Sequence, residues 1–120
     1  MDDLVQFLRD RLDEDERAAR RAGDSFRQIG ETGVIVATEG DRAEECASAN
    51  WAGIAEHIVR HDPARVLAEV AAKRQIIDRC VSAQIPIRDD WSTDELAGDV
   101  LAMLALPYAD HPAYKPEWHP

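Results

Sequence analysis

Apolar residues near the start of the chain are spaced like one face of an amphipathic helix. Leu4, Leu8 and Leu12 stand four residues apart, and this spacing is the period of a helix with one buried side. Gly23 ends the pattern, because glycine is a poor residue for a helix interior. The pattern predicts a first helix over about residues 3–22, with its second half exposed to solvent.

The next segment has the composition of a β-hairpin. Two short β-prone runs, residues 25–29 and 34–38, flank the turn-forming residues 30–33. Because two strands alone are marginally stable in water, the hairpin must either pack on helices or pair with strands of a second subunit. The side chains available for packing are Phe26, Ile29, Val34 and Val36.

The segment of about residues 42–60 predicts a second helix. Trp51, Ile54 and Ile58 recur on one face of that helix, and Ala47 extends the face towards its start.

A third helix is predicted to begin at Pro63. Asp62 is a good N-cap acceptor, and proline is tolerated at the first helical position because its missing N–H has no partner there. Pro86 is expected to end the region. The apolar stripe of this helix consists of Val66, Leu67, Val70, Ile77 and Val81, with Arg74 and Cys80 at its margins.

The fourth helix carries the strongest local signal in the chain. Ser92 and Glu95 have the spacing of a capping box, and Trp91 and Leu96 stand where a hydrophobic staple would close around it. Pro107 is expected to stop this helix, which is predicted to be the most buried of all. Its apolar face is predicted to consist of Leu96, Val100, Met103 and Leu104, with Leu101 and Leu106 alongside.

The last residues combine prolines with aromatic side chains. The prolines prevent a regular helix, whereas Tyr108, Tyr114 and Trp118 add large apolar area. We predict that residues 107–118 form an ordered, extended tail buried against the helices. The whole pattern predicts a mainly α fold of about four helices, one small β-hairpin and an ordered C-terminal tail rich in proline and aromatic residues, in a single domain of residues 1–120.

Charge and cysteine content narrow the class of protein. The 120 residues include 14 Lys and Arg against 24 Asp and Glu, which gives a net charge of -10. Such a charge repels phosphate backbones and anionic lipid, so we expect neither a nucleic acid nor a membrane as partner. Cys46 and Cys80 are too few for a disulfide framework, and the first residues lack the pattern of a secretory leader. We therefore expect a cytoplasmic protein.

The histidines are the weak candidates for metal chemistry. His57 and His61 are four residues apart on a predicted helix, a spacing that can place two imidazoles on one metal, and His111 could add a ligand. No glutamate follows His57 as in the HExxH pattern, and the cysteines are not paired in CxxC spacing. We therefore predict no metal, no cofactor and no catalytic residue. The alternative is a small metal- or ligand-dependent enzyme that uses His57, His61 and the Asp110–His111 pair.

The remaining function is that of a small acidic accessory module, which binds a protein partner or a second copy of itself. The arginines in the middle of the chain can form a docking stripe or pair with acids such as Glu56, Glu69 and Asp78, and pairing is the favoured interpretation. The candidate interaction residues are Arg60, Arg65, Arg74, Tyr108, Asp110, His111, Tyr114 and Trp118.

Several stretches of the chain resemble one family. They are HIVRHDPARVL at residues 57–67, LALPYADHP at residues 104–112, and the opening DLVQFL at residues 3–8. With them the chain is similar to an uncharacterised family of small actinobacterial and actinophage proteins, the domain of unknown function 6221. The resemblance implies no known activity. Many members of that family carry cysteine pairs of zinc-binding spacing between the central helix and the final one. Residues 85–99 here contain no cysteine, so the resemblance implies no zinc site at that place in this chain.

Overall fold

The computed structural model describes residues 2–84 and 91–120, without the side chains of residues 91 and 92. The chain groups into two compact units, a terminal unit of residues 1–13 and 71–120 and a central unit of residues 14–70. The prediction of a mainly helical protein is confirmed, and that of a single domain stays a prediction. The elements are α1 (Asp2–Arg21), β1 (Ser25–Gln28), β2 (Val34–Glu39), β3 (Arg42–Ser48), α2 (Ala52–Arg60), α3 (Pro63–Ala83), α4 (Trp91–Ala105) and two 3₁₀ turns, Leu106–Tyr108 and Pro116–Trp118.

Helix α1 follows the predicted bounds to within one residue. Leu4, Leu8 and Leu12 are buried, as their spacing predicts. The helix begins with two aspartates and ends with Arg20 and Arg21, an arrangement that stabilises it through the helix dipole. Most of its second half is exposed, so that prediction is also confirmed.

The predicted hairpin is present, but it is part of a larger sheet. Strands β1 and β2 pair antiparallel with Ser25 opposite Thr38, and β3 pairs antiparallel with the other edge of β2. The side chains of Ile35 and Val36 are buried, whereas Ile29, which the alternation predicts as a packing residue, is exposed. The sheet therefore has three strands, one more than the predicted hairpin.

Close packing at the end of the sheet depends on a glycine. The Ala49 N–H donates to the carbonyl oxygen of Gly33 at 2.7 Å. A Cβ at Gly33 would overlap the carbonyl oxygen of Ala49. Glycine is needed at position 33 because the two backbones approach so closely.

The helix predicted for residues 42–60 is wrong over its first half. Residues 42–48 form strand β3, because Gly40, with a φ of 57°, and Asp41 turn the chain back along β2. Helix α2 begins only at Ala52. Trp51, which the pattern placed inside the helix, is the N-cap residue and is 65% exposed.

Helix α3 begins at Pro63, as the Asp62-Pro63 sequence predicts. The Arg65 N–H donates to Oδ1 of Asp62 at 2.9 Å, and the Phe26 N–H of strand β1 donates to Oδ2 at 3.1 Å. One carboxylate therefore caps the helix and binds the outer edge of the sheet. Pro86, the predicted end of this region, lies outside the described residues.

The buried stripe of α3 differs from the predicted stripe at its C-terminal end. Val70 and Ile77 are buried as expected. Cys80 is also buried, although the pattern placed it at the margin, whereas Val81 is exposed. Burial raises the pKa of the Cys80 thiol, because the thiolate is poorly solvated there.

Helix α4 begins one residue before the predicted cap. Since the helical backbone already includes Trp91, Ser92 lies inside the first turn, and the prediction that it caps the helix is wrong. The predicted contact of Trp91 with Leu96 involves a side chain outside the described residues. Ala97, Leu101 and Ala105 form the buried side of α4, and α1 buries more large side chains than α4 does, so α4 is not the most buried helix.

The tail is described throughout, but it is not extended. Its two 3₁₀ turns, Leu106–Tyr108 and Pro116–Trp118, each carry a proline in the first two positions, where a missing N–H is tolerated. Among the described residues, none of the helices has the length and apolar character needed to cross a membrane.

Candidate interaction site

The aromatic residues of the tail gather on one buried residue of α1. Within the terminal unit, the ring of Phe7 is 6.4 Å from that of Tyr108 and 5.1 Å from that of Trp118, measured between centroids. The rings of His111 and Tyr114 lie at 5.6 Å and 5.9 Å. Most of these contacts are edge-to-face, which is the preferred arrangement of aromatic pairs. The tail therefore packs on α1 through these four rings, but none of residues 107–118 is buried, so the prediction of a buried tail is wrong.

The imidazole of His111 is held as a hydrogen-bond acceptor. Its Nδ1 lies 3.0 Å from Nη1 of Arg11 and accepts the Ala113 N–H at 3.0 Å. Arginine can only donate, so two donors converge on Nδ1 and the proton of the neutral ring is on Nε2. Neither bond involves Asp110, which is exposed. The proposed Asp110–His111 pair is therefore not assembled as an acid–base unit at Nδ1.

A shallow groove runs beside this cluster. It has a volume of about 360 Å³ and is lined by α1 and tail residues that include Phe7, Arg11 and Trp118. At its rim, Nζ of Lys115 donates to Oδ2 of Asp3 at 2.8 Å and lies 5.6 Å from the centre of the Trp118 ring. The hydrogen bond and the charge of Lys115 lower the pKa of Asp3, and the same contacts raise the pKa of Lys115.

One polar atom in the cluster is buried without a partner. The hydroxyl oxygen of Tyr114 is enclosed, and it has no hydrogen-bond partner in the described part of the chain. The ring of Tyr114 contacts Phe7 and, at 5.6 Å, Trp118. The contribution of Tyr114 to the cluster therefore comes from its ring, because a buried unpaired hydroxyl is unfavourable.

The proposed arginine stripe is neutralised by neighbouring acids. Arg60 pairs with Glu56 and Arg65 with Glu69, each one helical turn away. In the terminal unit, Nη2 of Arg74 donates to Oδ1 of Asp13 at 2.7 Å. These contacts support the interpretation that the three arginines are paired. The acids predicted as partners for Arg60 and Arg65 are the observed ones, whereas Asp78 pairs with Arg9 instead.

The histidines proposed as weak metal ligands fall into two separate groups. His57 and His61 belong to the central unit, where their ring centroids are 4.6 Å apart and both residues are exposed. His111 belongs to the terminal unit and binds Arg11. Within residues 2–84 and 91–120, no group of three or more His, Cys, Asp or Glu side chains is arranged to hold a metal ion.

Apolar residues of α4 that the sequence pattern assigned to the core are exposed to solvent. Leu96 is 62% exposed and Met103 50%, and Leu106, at the start of the first 3₁₀ turn, is exposed as well. Leu96 and Met103 are two helical turns apart and lie on the same side of α4, with the half-buried Val100 between them. We call Leu96, Val100, Met103 and Leu106 the apolar face of α4. Periodicity placed Leu96, Val100 and Met103 on one face, with Leu106 alongside, but it wrongly predicted that this face is buried.

The charged residues of α4 itself are all acidic. Asp99 lies three residues after Leu96 and four before Met103, on the same side of the helix, and Glu95 lies one turn before Asp99. The sequence of α4 contains no lysine and no arginine. The apolar face is therefore bordered by carboxylates without basic residues of its own helix.

These features define a small acidic protein, mainly helical with a three-stranded antiparallel sheet. The chain belongs to a family of unknown function (DUF6221), whose family model matches residues 1–120. No curated protein and no solved structure matches the chain.

Proposed function

We propose that this protein is a small acidic accessory module that binds a protein partner through the apolar face of α4. The observation that supports this function is the exposure of Leu96 and Met103 on one side of α4, with Leu106 exposed directly after the helix, whereas the other side of α4 is already packed. A helix that is apolar on two sides packs one of them into the protein core, and the other side is available to bind a partner. Contiguous exposed apolar surface is typical of a binding site.

The charge pattern indicates the chemistry of the partner. Asp99 and Glu95 border the apolar face, and the net charge of the chain is -10. A second copy of α4 would bring like charges together, which opposes binding, whereas a basic partner would be attracted and steered. The partner that fits is an amphipathic helix with a leucine-rich side bordered by lysine or arginine, in the helix-in-groove mode of recognition.

The other activities considered from the sequence gain no support from the geometry. The His57–His61 pair is not joined by a third ligand among the described residues, and Nδ1 of His111 is engaged by Arg11 and Ala113. We therefore do not propose an enzyme. We propose a cytoplasmic location, because both cysteines are free thiols, as is usual in a reducing compartment.

Titration with designed peptides tests the proposed function. The probe is an amphipathic Leu/Lys peptide about five helical turns long, and a Leu/Glu peptide with the same apolar pattern is its control. We expect the protein to bind the Leu/Lys peptide in isothermal titration calorimetry and not the Leu/Glu peptide. The double variant Leu96→Gln/Met103→Gln should bind about tenfold more weakly or worse, because two exposed apolar contacts are lost.

A matched variant separates docking from general attraction between charges. Ile29 is also an exposed large apolar residue, but it directly follows strand β1 in the central unit. Ile29→Gln should bind the Leu/Lys peptide as the wild type does. Equal affinity of the Leu96→Gln/Met103→Gln variant and the wild type would contradict the proposal, because binding would then depend on net charge alone.

A further inference from the structure

The two outer edges of the three-stranded sheet differ. On β1, the Phe26 N–H that points away from β2 is bound by Asp62. On β3, all seven residues are exposed. In the part of the chain that the structure describes, no other element forms a hydrogen bond to the outer backbone edge of β3. Strand β3 is thus an open edge, which can pair with another strand.

The turn before β3 determines which backbone groups are available. Gly40 and Asp41 form a two-residue hairpin loop, so Glu39 and Arg42 are the closing pair and exchange both of their hydrogen bonds. The direction of these groups alternates along an antiparallel strand. The N–H and C=O groups of Ala43 therefore point away from β2, towards the open edge.

The charges along β3 are complementary to those of a second copy of the strand that runs antiparallel to it. In an antiparallel pair related by a two-fold axis, one residue stands opposite itself. With Ala43 at that position, Arg42 of one copy stands opposite Glu44 of the other, and the same contact occurs twice. Arg42 and Glu44 lie on one side of the strand, where they already form an ion pair at 3.2 Å within the chain.

Charge also separates the two registers within the strand, because with Ala43 on the axis Glu45 lies opposite only Asp41 of the hairpin loop, outside β3. A two-fold axis at Glu45 would place two glutamates directly opposite one another, and like charges opposite each other are destabilising. The pairing of β2 with β3 is also irregular beyond this residue, since Val36 is opposite Glu45 and Ile35 is opposite Ala47. The regular part of the edge is therefore residues 42–45.

We propose that a second copy of this chain pairs with the open edge of β3, antiparallel, with Ala43 opposite Ala43. The small side chain of Ala43 leaves room for the backbones to approach, and the unlike charges of Arg42 and Glu44 fix the register. The contact is short, below the roughly 1,200 Å² of stable complexes. The dimer is therefore weak, and the net charge of -10 on each copy opposes it.

Complementary charge reversals test this pairing. Arg42→Glu makes the outer pair acidic in both copies, and Glu44→Arg makes it basic in both copies. We expect sedimentation velocity at rising concentration to show self-association of the wild type, and each variant alone to associate about tenfold more weakly or worse. An equimolar mixture of the two variants should recover association, because only the mixed dimer places the acidic pair of one chain opposite the basic pair of the other.

The control is a charge reversal on the opposite edge strand of the sheet, which takes no part in the proposed pairing of β3. Arg27→Glu reverses an exposed charge on β1 and should leave association unchanged. Circular dichroism of each variant checks that the fold is kept. A wild type that stays monomeric at all concentrations, single variants that associate as the wild type does, or a mixture that stays monomeric would overturn the proposal. These results leave the role of the apolar face of α4 unaffected, since β3 takes no part in it.

Discussion

At the scale of single residues, His111 joins aromatic packing to a polar contact. Its ring lies against Phe7, and its Nδ1 accepts hydrogen bonds from Arg11 and from the Ala113 backbone. Asparagine can place its side-chain oxygen where Nδ1 is, whereas alanine offers no acceptor. Substitutions at this position therefore separate the acceptor from the ring.

His111→Ala should lower the free energy of unfolding by about 1–2 kcal/mol, because hydrogen bonds and an aromatic contact are both lost. His111→Asn should recover part of this loss by restoring the acceptor. Urea unfolding followed by circular dichroism measures both. Tyr114→Phe is the matched control, since it keeps the ring and removes a buried hydroxyl without a partner among the described residues, and its stability should equal or exceed that of the wild type. Equal loss in the alanine and asparagine variants would show that the acceptor has no role.

The Asp3–Lys115 pair predicts a pH window. The pKa of Asp3 is lowered from 3.8 in the folded protein, so its stabilisation is present above that value and is lost as the pH falls through the folded pKa. The pKa of Lys115 is raised from 10.5, so its part is present below that value and is lost as the pH rises through the folded pKa. The pair stabilises the protein between these limits.

Asp3→Asn should therefore lower the melting temperature slightly at neutral pH, and the difference from the wild type should vanish in strong acid. Thermal unfolding across the pH range measures this. Asp2→Asn removes a carboxylate from the same turn of α1 and is the control, because the Lys115 ammonium binds Asp3. A difference that persists unchanged in strong acid would rule out the ion pair as its cause.

At the scale of elements, α4 shows which side of a helix is packed. Leu101 is fully buried, whereas Leu96 is 62% exposed. Leu101→Ala should lower the free energy of unfolding by about 2–5 kcal/mol because it leaves a cavity, and Leu96→Ala should change it by less than about 0.5 kcal/mol. Chemical denaturation of the two variants measures these changes. Similar losses for both would mean that the predicted apolar face is buried after all.

Elements marked by local chemistry were predictable from the sequence. The start of α3 follows from Asp62 and Pro63, because a cap acceptor and a proline act within one helical turn. The spacing of leucines predicts α1 well, since only one side of that helix is apolar. The tail aromatics were correctly expected to pack, but their common contact, Phe7, lies about a hundred residues away in the chain and no local pattern can identify it.

Elements decided by tertiary contacts were not predictable. Ala43, Glu44 and Glu45 favour helix, yet pairing with β2 after the Gly40 turn makes them a strand, so tertiary context overrides propensity. In α4, alternating sides are both apolar, and periodicity cannot choose between Leu96 and Leu101 for the core. The sequence pattern therefore identified an apolar face on α4 but wrongly predicted that this face is buried.

At the scale of the whole molecule, the excess of acidic residues determines the long-range electrostatic interaction with other molecules. The net charge is -10, and Arg60, Arg65 and Arg74 of the basic stripe are paired with Glu56, Glu69 and Asp13. We therefore expect no measurable binding to duplex DNA or to RNA near physiological salt, because few counterions would be released. A gel-shift titration measures this, and submicromolar retention would contradict it.

The carboxylate of Asp62 has a consequence for the exchange of backbone hydrogens with solvent. The amide of Phe26 faces outward from an edge strand, where it would ordinarily exchange with deuterium readily. Because that amide donates to Asp62 at 3.1 Å, it is expected to exchange slowly, and only when the start of α3 moves away from the strand. Deuterium uptake at this one position therefore reports a local opening between residues 36 positions apart in the chain. Asp62→Ser, which keeps a cap for the helix but cannot reach the strand, should accelerate uptake at Phe26 and leave the amides of α3 protected.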